Sequence, residues 1–186
     1  MRHIPNLITA LRLIAAPFAA WLLAEARYRE ALAVVIIAGL TDWLDGFAAR
    51  HLNAAGKTGV VLDPLADKIL LVTVFVELAV IHLIPLWMLL LALIRDVVIV
   101  TGALLLRLLR DVRKFLPSML GKVSTFFQIM LVLTVLLDAA FPQPVFQLLR
   151  VAALILAALF TTLSGLDYIR RGIAMADRGV RESWSP

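Results

Sequence analysis

The feature that most constrains this chain is a succession of apolar runs, each close to the length that crosses a bilayer as a helix. A bilayer core of about 30 Å requires roughly 20 such residues. Six runs qualify, at 6–24, 31–49, 64–84, 86–107, 122–141 and 147–169. With 62% hydrophobic and 17% charged residues, a chain of 186 residues cannot bury its apolar surface in one water-facing domain. We therefore predict an all-α, polytopic membrane protein, a bundle of six transmembrane helices forming a single domain over 1–186.

Lysine and arginine are distributed unequally between the two sides that alternating spans define. Three of them, Arg27, Arg29 and Arg150, fall on one side. Twelve fall on the other: Arg2, Arg50, Lys57, Arg107, Arg110, Arg113, Lys114, Lys122, Arg170, Arg171, Arg178 and Arg181. Because basic residues accumulate in cytoplasmic loops, we expect both termini to be cytoplasmic. The basic loops fit an anionic membrane surface and indicate contact with membrane lipids rather than nucleic acid. A span that follows Met1 so closely leaves no room for a transit segment, so we expect a bacterial inner membrane.

Four aspartates lie where two of the predicted spans meet the cytoplasmic side. Asp42 and Asp45 are three residues apart near the end of the second span, and Asp63 and Asp67 are four apart at the start of the third. Either spacing places both members of a pair on one helix face. A loop of about a dozen residues joins the two spans, so antiparallel packing would bring the pairs together. Charged side chains at membrane depth cost about 2.5 kcal/mol or more, and usually serve a function.

Four neighbouring carboxylates repel one another unless cations neutralise them or some remain protonated. Hard oxygen ligands suit Mg²⁺ or Mn²⁺, and two ions would hold four such groups around a phosphate-bearing substrate. The chain has no cysteine, which excludes thiolate zinc sites and thiolate nucleophiles. The alternative for any single aspartate is a helix cap or an ion pair with a nearby Arg or Lys.

The residues from 42 to 67 follow the pattern D-x2-D-G-x2-A-R-x8-G-x3-D-x3-D without a departure. This pattern resembles the signature of the CDP-alcohol phosphotransferase family. The resemblance extends to Ile4-Pro5-Asn6 at the first span, to Arg95-Asp96 and to Gly121-Lys122. It implies a six-helix bundle, usually a homodimer, with a polar cavity that opens toward the cytoplasm.

The resemblance also implies roles for the motif residues. Asp42, Asp45 and Asp63 would bind the metal ions, and Asp67 would bind the second ion and act as the general base. The nucleotide pocket would be lined by Gly46, Ala49, Arg50 and Gly59. The acceptor alcohol would attack the β-phosphorus of CDP-diacylglycerol, and CMP would leave.

The acceptor alcohol is expected to be glycerol-based, and two candidates stay open. Glycerol-3-phosphate is favoured by the bacterial character of the chain, and Arg95, Lys114 and Lys122 would bind its anionic group. Phosphatidylglycerol, the acceptor of a cardiolipin synthase, is favoured by Arg95-Asp96 and by Ser124, because similar glycerophosphate enzymes often carry Arg-Glu and a second lysine there. Arg95 and Lys122 could instead, or in addition, neutralise an aspartate of the cavity.

Two other classes of function are alternatives to the transferase. A divalent-cation transporter also needs acidic groups in a membrane bundle, but would carry charged or helix-breaking positions near mid-membrane and an internal repeat. Here the aspartates gather at one side, which indicates a one-sided active site. A scaffold without activity would not need the aspartate spacing.

Overall fold

A computed structural model of the chain describes the backbone of residues 4–52, 59–110 and 118–182, and the side chains of residues 13–41, 68–102 and 118–172. Within these residues the fold is all-helical. Six helices follow one another: α1 (Ile4–Ala24), α2 (Tyr28–Leu52), α3 (Gly59–Val80), α4 (Leu86–Arg110), α5 (Met119–Ala140) and α6 (Pro144–Glu182). Each contains most of one predicted span, so the all-α class and the order of the helices are confirmed.

Two helix ends differ from the predicted ones. The third span was expected to reach residue 84, but α3 ends at Val80 because His82 takes a left-handed conformation with φ 59°. The backbone N–H of Leu83 then bonds the carbonyl of Leu78 at 2.8 Å, which closes the helix as a Schellman motif does. The sixth span was expected to end at 169, yet α6 continues to Glu182 and is about 58 Å long at 1.5 Å per residue.

The chain divides into two compact units. The first comprises Met1–Leu86 and Val132–Arg150, and the second Trp87–Leu131 and Val151–Pro186. In the first unit α1 packs against both α2 and α3. Small side chains at this packing, such as the buried Ala16, Ala19 and Ala31, let the helix backbones approach closely.

The three arginines on the less basic side have protein partners in the first unit. Arg27 forms an exposed ion pair with Glu30 at 3.0 Å. A hydrogen bond from its own backbone, followed by the Arg27 guanidinium, lowers the pKa of Glu30 below its ordinary value. Arg29 donates to the carbonyl of Ala140 at 3.3 Å, and Arg150 to Asp138 at 3.0 Å. These interactions give the three cations structural roles within the first unit.

Polar burial characterises the second unit. Among the side chains that the structure describes, the buried polar or charged ones all belong to this unit: Arg95, Ser118, Ser124, Gln128, Thr161 and Ser164. Five of them form two hydrogen-bonded groups, since the Thr161 hydroxyl bonds Ser124 and Gln128 at 3.1 Å each, and the Ser164 hydroxyl bonds Arg95. Hydrogen bonding of this kind removes the cost of burying polar atoms among apolar helices.

Large apolar side chains cover much of the described surface. On α4, Ile94, Val97 and Val100 are each more than 60% exposed. Met119–Ala140 and Pro144–Gly172 are apolar and long enough to cross a bilayer, and they are the two such stretches among the described residues. The other four predicted spans extend into residues whose side chains lie outside the described part of the structure.

Candidate functional site

Helical backbone carries both acidic pairs. Asp42 and Asp45 lie in the second half of α2, and Asp63 and Asp67 lie in the first turns of α3. Both pairs therefore lie on helices, as the sequence predicts, and each pair occupies one face of its helix. The helices α2 and α3 share α1 as a packing neighbour in the first unit, which places both acid-bearing segments in the same unit.

The side chains of the motif lie outside the described part of the structure. This applies to the four aspartates and to the predicted nucleotide-pocket residues Gly46, Ala49, Arg50 and Gly59. On the backbone, residues 46, 49 and 50 belong to α2, and Gly59 is the first residue of α3. Among the side chains that are described, no group of three potential metal ligands is present. The metal and nucleotide roles therefore stay predictions.

Arg95 is a buried residue of α4 whose guanidinium is held by protein groups on three sides. Nε and Nη2 donate to the Ser164 hydroxyl at 3.2 and 3.1 Å, and Nη2 also donates to the carbonyl of Gly121 at 3.1 Å. Nη1 forms an ion pair with Asp96 at 2.9 Å. Arg95 thus links α4 to the start of α5 and to α6 within the second unit.

The first turn of α5 is capped by a serine and anchored by a tyrosine. The Ser118 hydroxyl accepts the backbone N–H of Gly121 at 3.0 Å, as an N-cap side chain does. The backbone N–H of Ser118 itself donates to the Tyr168 hydroxyl at 3.0 Å. A Cβ atom added at Gly121 would lie 3.1 Å from both Arg95 Nη2 and Tyr168 Oη. A larger residue at position 121 would therefore have to displace the Arg95 and Tyr168 side chains by a few tenths of an ångström.

The other two predicted acceptor residues differ in position. Lys122 follows Gly121 in the first turn of α5, and its side chain is exposed. Lys114 lies outside the described residues. The structure thus brings Arg95 into contact with the residue that immediately precedes Lys122, while the contacts of Lys114 stay undescribed.

Sequence reasoning missed the partners that hold Arg95 and the α5 turn. Ser164 and Tyr168 were not predicted as site residues, although a signal for them exists. Thr161, Ser164 and Tyr168 recur at spacings of three and four in the otherwise apolar α6. Ser118, Gly121, Ser124 and Gln128 recur in the same way at the start of α5. Matching polar stripes on two apolar helices indicate a buried polar contact between them.

Comparison with known proteins identifies the family. The model of the CDP-alcohol phosphatidyltransferase family matches residues 2–163. A CDP-diacylglycerol--glycerol-3-phosphate 3-phosphatidyltransferase of Aquifex aeolicus is 35% identical over 184 residues, which cover 93% of this chain and 97% of that enzyme. An enzyme of the same description from Bacillus subtilis is 36% identical over 136 residues, covering 73% of this chain and 69% of the relative.

Cardiolipin synthases also resemble the chain. The cardiolipin synthase (CMP-forming) of Rattus norvegicus is 34% identical over 160 residues, which cover 77% of this chain. The alignment spans 51% of that synthase, or about half its length. The family match and the Aquifex aeolicus relative, aligned over almost its full length, together confirm the resemblance expected from the aspartate motif. The chain belongs to the CDP-alcohol phosphatidyltransferase family, whose members are membrane-associated enzymes.

Proposed function

We propose that this protein transfers a phosphatidyl group from CDP-diacylglycerol to glycerol-3-phosphate, releasing CMP and forming phosphatidylglycerophosphate. The observation that carries the proposal is the complete aspartate motif on α2 and α3. Support for the acceptor comes from the Aquifex aeolicus relative, whose name states this reaction and whose length the alignment almost fully covers.

The donor set of the motif fits two divalent cations. Asp42, Asp45, Asp63 and Asp67 offer only oxygen ligands, the motif contains no histidine, and the chain contains no cysteine. Such ligands suit Mg²⁺ or Mn²⁺. When bound, the ions would neutralise negative charge on the pyrophosphate and on the departing CMP.

Asp67 is the proposed general base. Its carboxylate accepts the proton of the acceptor hydroxyl as the hydroxyl oxygen bonds to the β-phosphorus, the atom that carries the lipid. The bond between that phosphorus and the bridging oxygen breaks, and the electron pair leaves with CMP. Gly46, Ala49, Arg50 and Gly59 would line the nucleotide pocket, where small residues and a guanidinium suit close approach to a pyrophosphate.

Lys122, with Arg95 and Lys114, is proposed to bind the anionic group of the acceptor. Lys122 has the exposed side chain that a direct contact requires, and Arg95 adds a positive charge to the same turn. A cardiolipin synthase that uses phosphatidylglycerol is the second candidate. Its support is the 34% identity to the rat enzyme and the presence of Ser124, which is fully buried against Thr161 and adds no positive charge.

The proposed topology has six membrane spans, both termini and the active-site cavity on the cytoplasmic side, and a homodimer in a bacterial inner membrane. The unequal distribution of Lys and Arg between the two predicted sides supports this orientation. The hydrogen bonds of Arg29 and Arg150 to protein groups add support, because they give these two cations a structural role on the proposed non-cytoplasmic side.

The deciding experiment offers each acceptor separately to the purified protein. Detergent-solubilised protein receives CDP-diacylglycerol, Mg²⁺ and either glycerol-3-phosphate or phosphatidylglycerol, and CMP release is followed. We expect rapid release with glycerol-3-phosphate. Release with phosphatidylglycerol alone would establish the second candidate. If neither acceptor supports release and proteoliposomes take up divalent cations, the protein is a transporter and the proposal is wrong.

A further inference from the structure

The contacts around Arg95 point to a residue that acts through its neighbours. We propose that Ser164 is a positioning residue for the acceptor site: it fixes Arg95, Arg95 fixes the first turn of α5, and that turn places Lys122 against the anionic group of the acceptor. The inference rests on the proposed function, and it changes the part that Arg95 plays from a direct ligand to a support.

The hydrogen bonds of the guanidinium carry the first step. All three nitrogens of Arg95 donate to protein groups, so its hydrogen-bonding capacity is largely engaged before an acceptor arrives. Ser164 is fully buried and accepts from two of these nitrogens, which sets both the position and the plane of the guanidinium. Without this hydroxyl, two buried N–H groups of Arg95 would lose their acceptor, and a shift of the guanidinium toward another acceptor would become favourable.

The second step is the link from Arg95 to Lys122. Arg95 Nη2 donates to the carbonyl of Gly121, and Lys122 is the next residue along α5. A Cβ at Gly121 would lie only 3.1 Å from Arg95 Nη2, so the turn and the guanidinium are in close contact. A displacement of Arg95 is therefore transmitted to the backbone that carries Lys122.

Charge explains why the turn suits an anion. The N-terminus of a helix carries partial positive charge, so a lysine there is unfavourable for the helix itself. A second cation, Arg95, contacts the same turn from a buried position. Asp96 offsets Arg95, whereas the exposed Lys122 extends from the turn. A phosphate-bearing acceptor would add negative charge beside these two cations.

The first test separates positioning from general stability. Ser164→Ala should raise the KM for glycerol-3-phosphate about tenfold, the usual effect of losing a charge-assisted hydrogen bond, and leave the KM for CDP-diacylglycerol unchanged. Ser164→Thr keeps the hydroxyl and should restore the acceptor KM. The matched control is Thr161→Ala, which removes another buried hydroxyl one turn away on α6 that contacts Ser124 and Gln128. That control should not alter the acceptor KM.

The second test is a double-mutant cycle with Lys122→Gln. If Ser164 acts through Lys122, the double variant should show the acceptor KM of Lys122→Gln alone, because interacting sites are non-additive. If the double variant instead raises the acceptor KM by the product of the two single effects, Ser164 does not act through Lys122. An unchanged acceptor KM in folded Ser164→Ala would overturn the positioning role.

A further variant keeps the inference testable if Ser164→Ala does not fold. Gly121→Ala removes no hydrogen-bonding group but crowds Arg95 and Tyr168, and should also raise the acceptor KM selectively. An unaltered KM in this variant would contradict the proposal. These outcomes differ from a failure of the proposed function, in which the unmodified protein would release no CMP with glycerol-3-phosphate.

Discussion

Arg150, in the first turns of α6, donates a hydrogen bond from Nη1 to Oδ2 of Asp138 on α5 at 3.0 Å. Its Nη2 donates to the carbonyl of Leu83 at 2.6 Å, just beyond the end of α3. One side chain therefore joins segments 67 residues apart in the chain. Asp138 is 15% exposed and Arg150 33% exposed, so solvent screens the pair only in part.

Removing Arg150 should destabilise the first unit. Arg150→Ala leaves the Asp138 carboxylate without its cation and the Leu83 carbonyl without a donor, a loss of about 2 kcal/mol for groups at this depth. We expect a clearly lower melting temperature in detergent. The matched control is Arg27→Ala, which breaks an ion pair with both side chains about half exposed and should lower the melting temperature much less. Equal shifts in the two variants would contradict the structural role of Arg150.

The turn between α1 and α2 contains a residue in a conformation that suits glycine better. Ala26 has φ 56°, and its neighbour Arg27 donates its backbone N–H to the Leu22 carbonyl at 2.8 Å, closing α1 as a Schellman motif. Ala26→Gly should stabilise the protein by about 1 kcal/mol, because the left-handed conformation costs L-residues about that much. Thermal unfolding in detergent measures the change. The control Ala24→Gly changes the last residue of α1, which does not have a positive φ, and should not stabilise the protein.

The helices could be predicted from sequence more readily than their ends. Apolar runs of bilayer length leave few alternatives to a helix, since each backbone polar group in lipid needs an internal partner. The ends depend on single residues. His82 ends α3 although positions 81–84 contain neither glycine nor proline. Helix α6 passes the predicted end at 169 because Arg170 and Arg171 are good helix formers.

One part of the candidate site could likewise be predicted from the sequence, and another part could not. The aspartate motif could be predicted because its information is local: spacings of three and four within two consecutive helices. The support around Arg95 could not, because Gly121 is 26 residues away and Ser164 is 69 residues away. Which polar residue of α6 meets Arg95 depends on how α4, α5 and α6 are aligned along their lengths, and that alignment is a property of tertiary packing.

Removal of divalent metal should abolish turnover without unfolding the protein. Chelation with EDTA should stop CMP release, and Mg²⁺ or Mn²⁺ should restore it, because the motif offers only carboxylate ligands. Zn²⁺ should restore far less, since the chain lacks cysteine and the motif lacks histidine. Circular dichroism before and after chelation is the control for the fold. Full turnover after exhaustive chelation would remove the metal from the proposed function.

Neutralising Asp67 should separate catalysis from substrate binding. Asp67→Asn keeps the size of the side chain but cannot accept the proton of the acceptor hydroxyl, so CMP release should fall at least about 100-fold, the lower range for loss of a general base. Binding of CDP-diacylglycerol, measured by calorimetry in detergent with Mg²⁺, should weaken much less. Glu77→Gln makes the same chemical change on the same helix at a half-buried position outside the motif, and should leave turnover unchanged. An Asp67→Asn protein that turns over at the original rate would assign the base to another residue, and one that loses lipid binding as well would leave Asp67 only its role as a metal ligand.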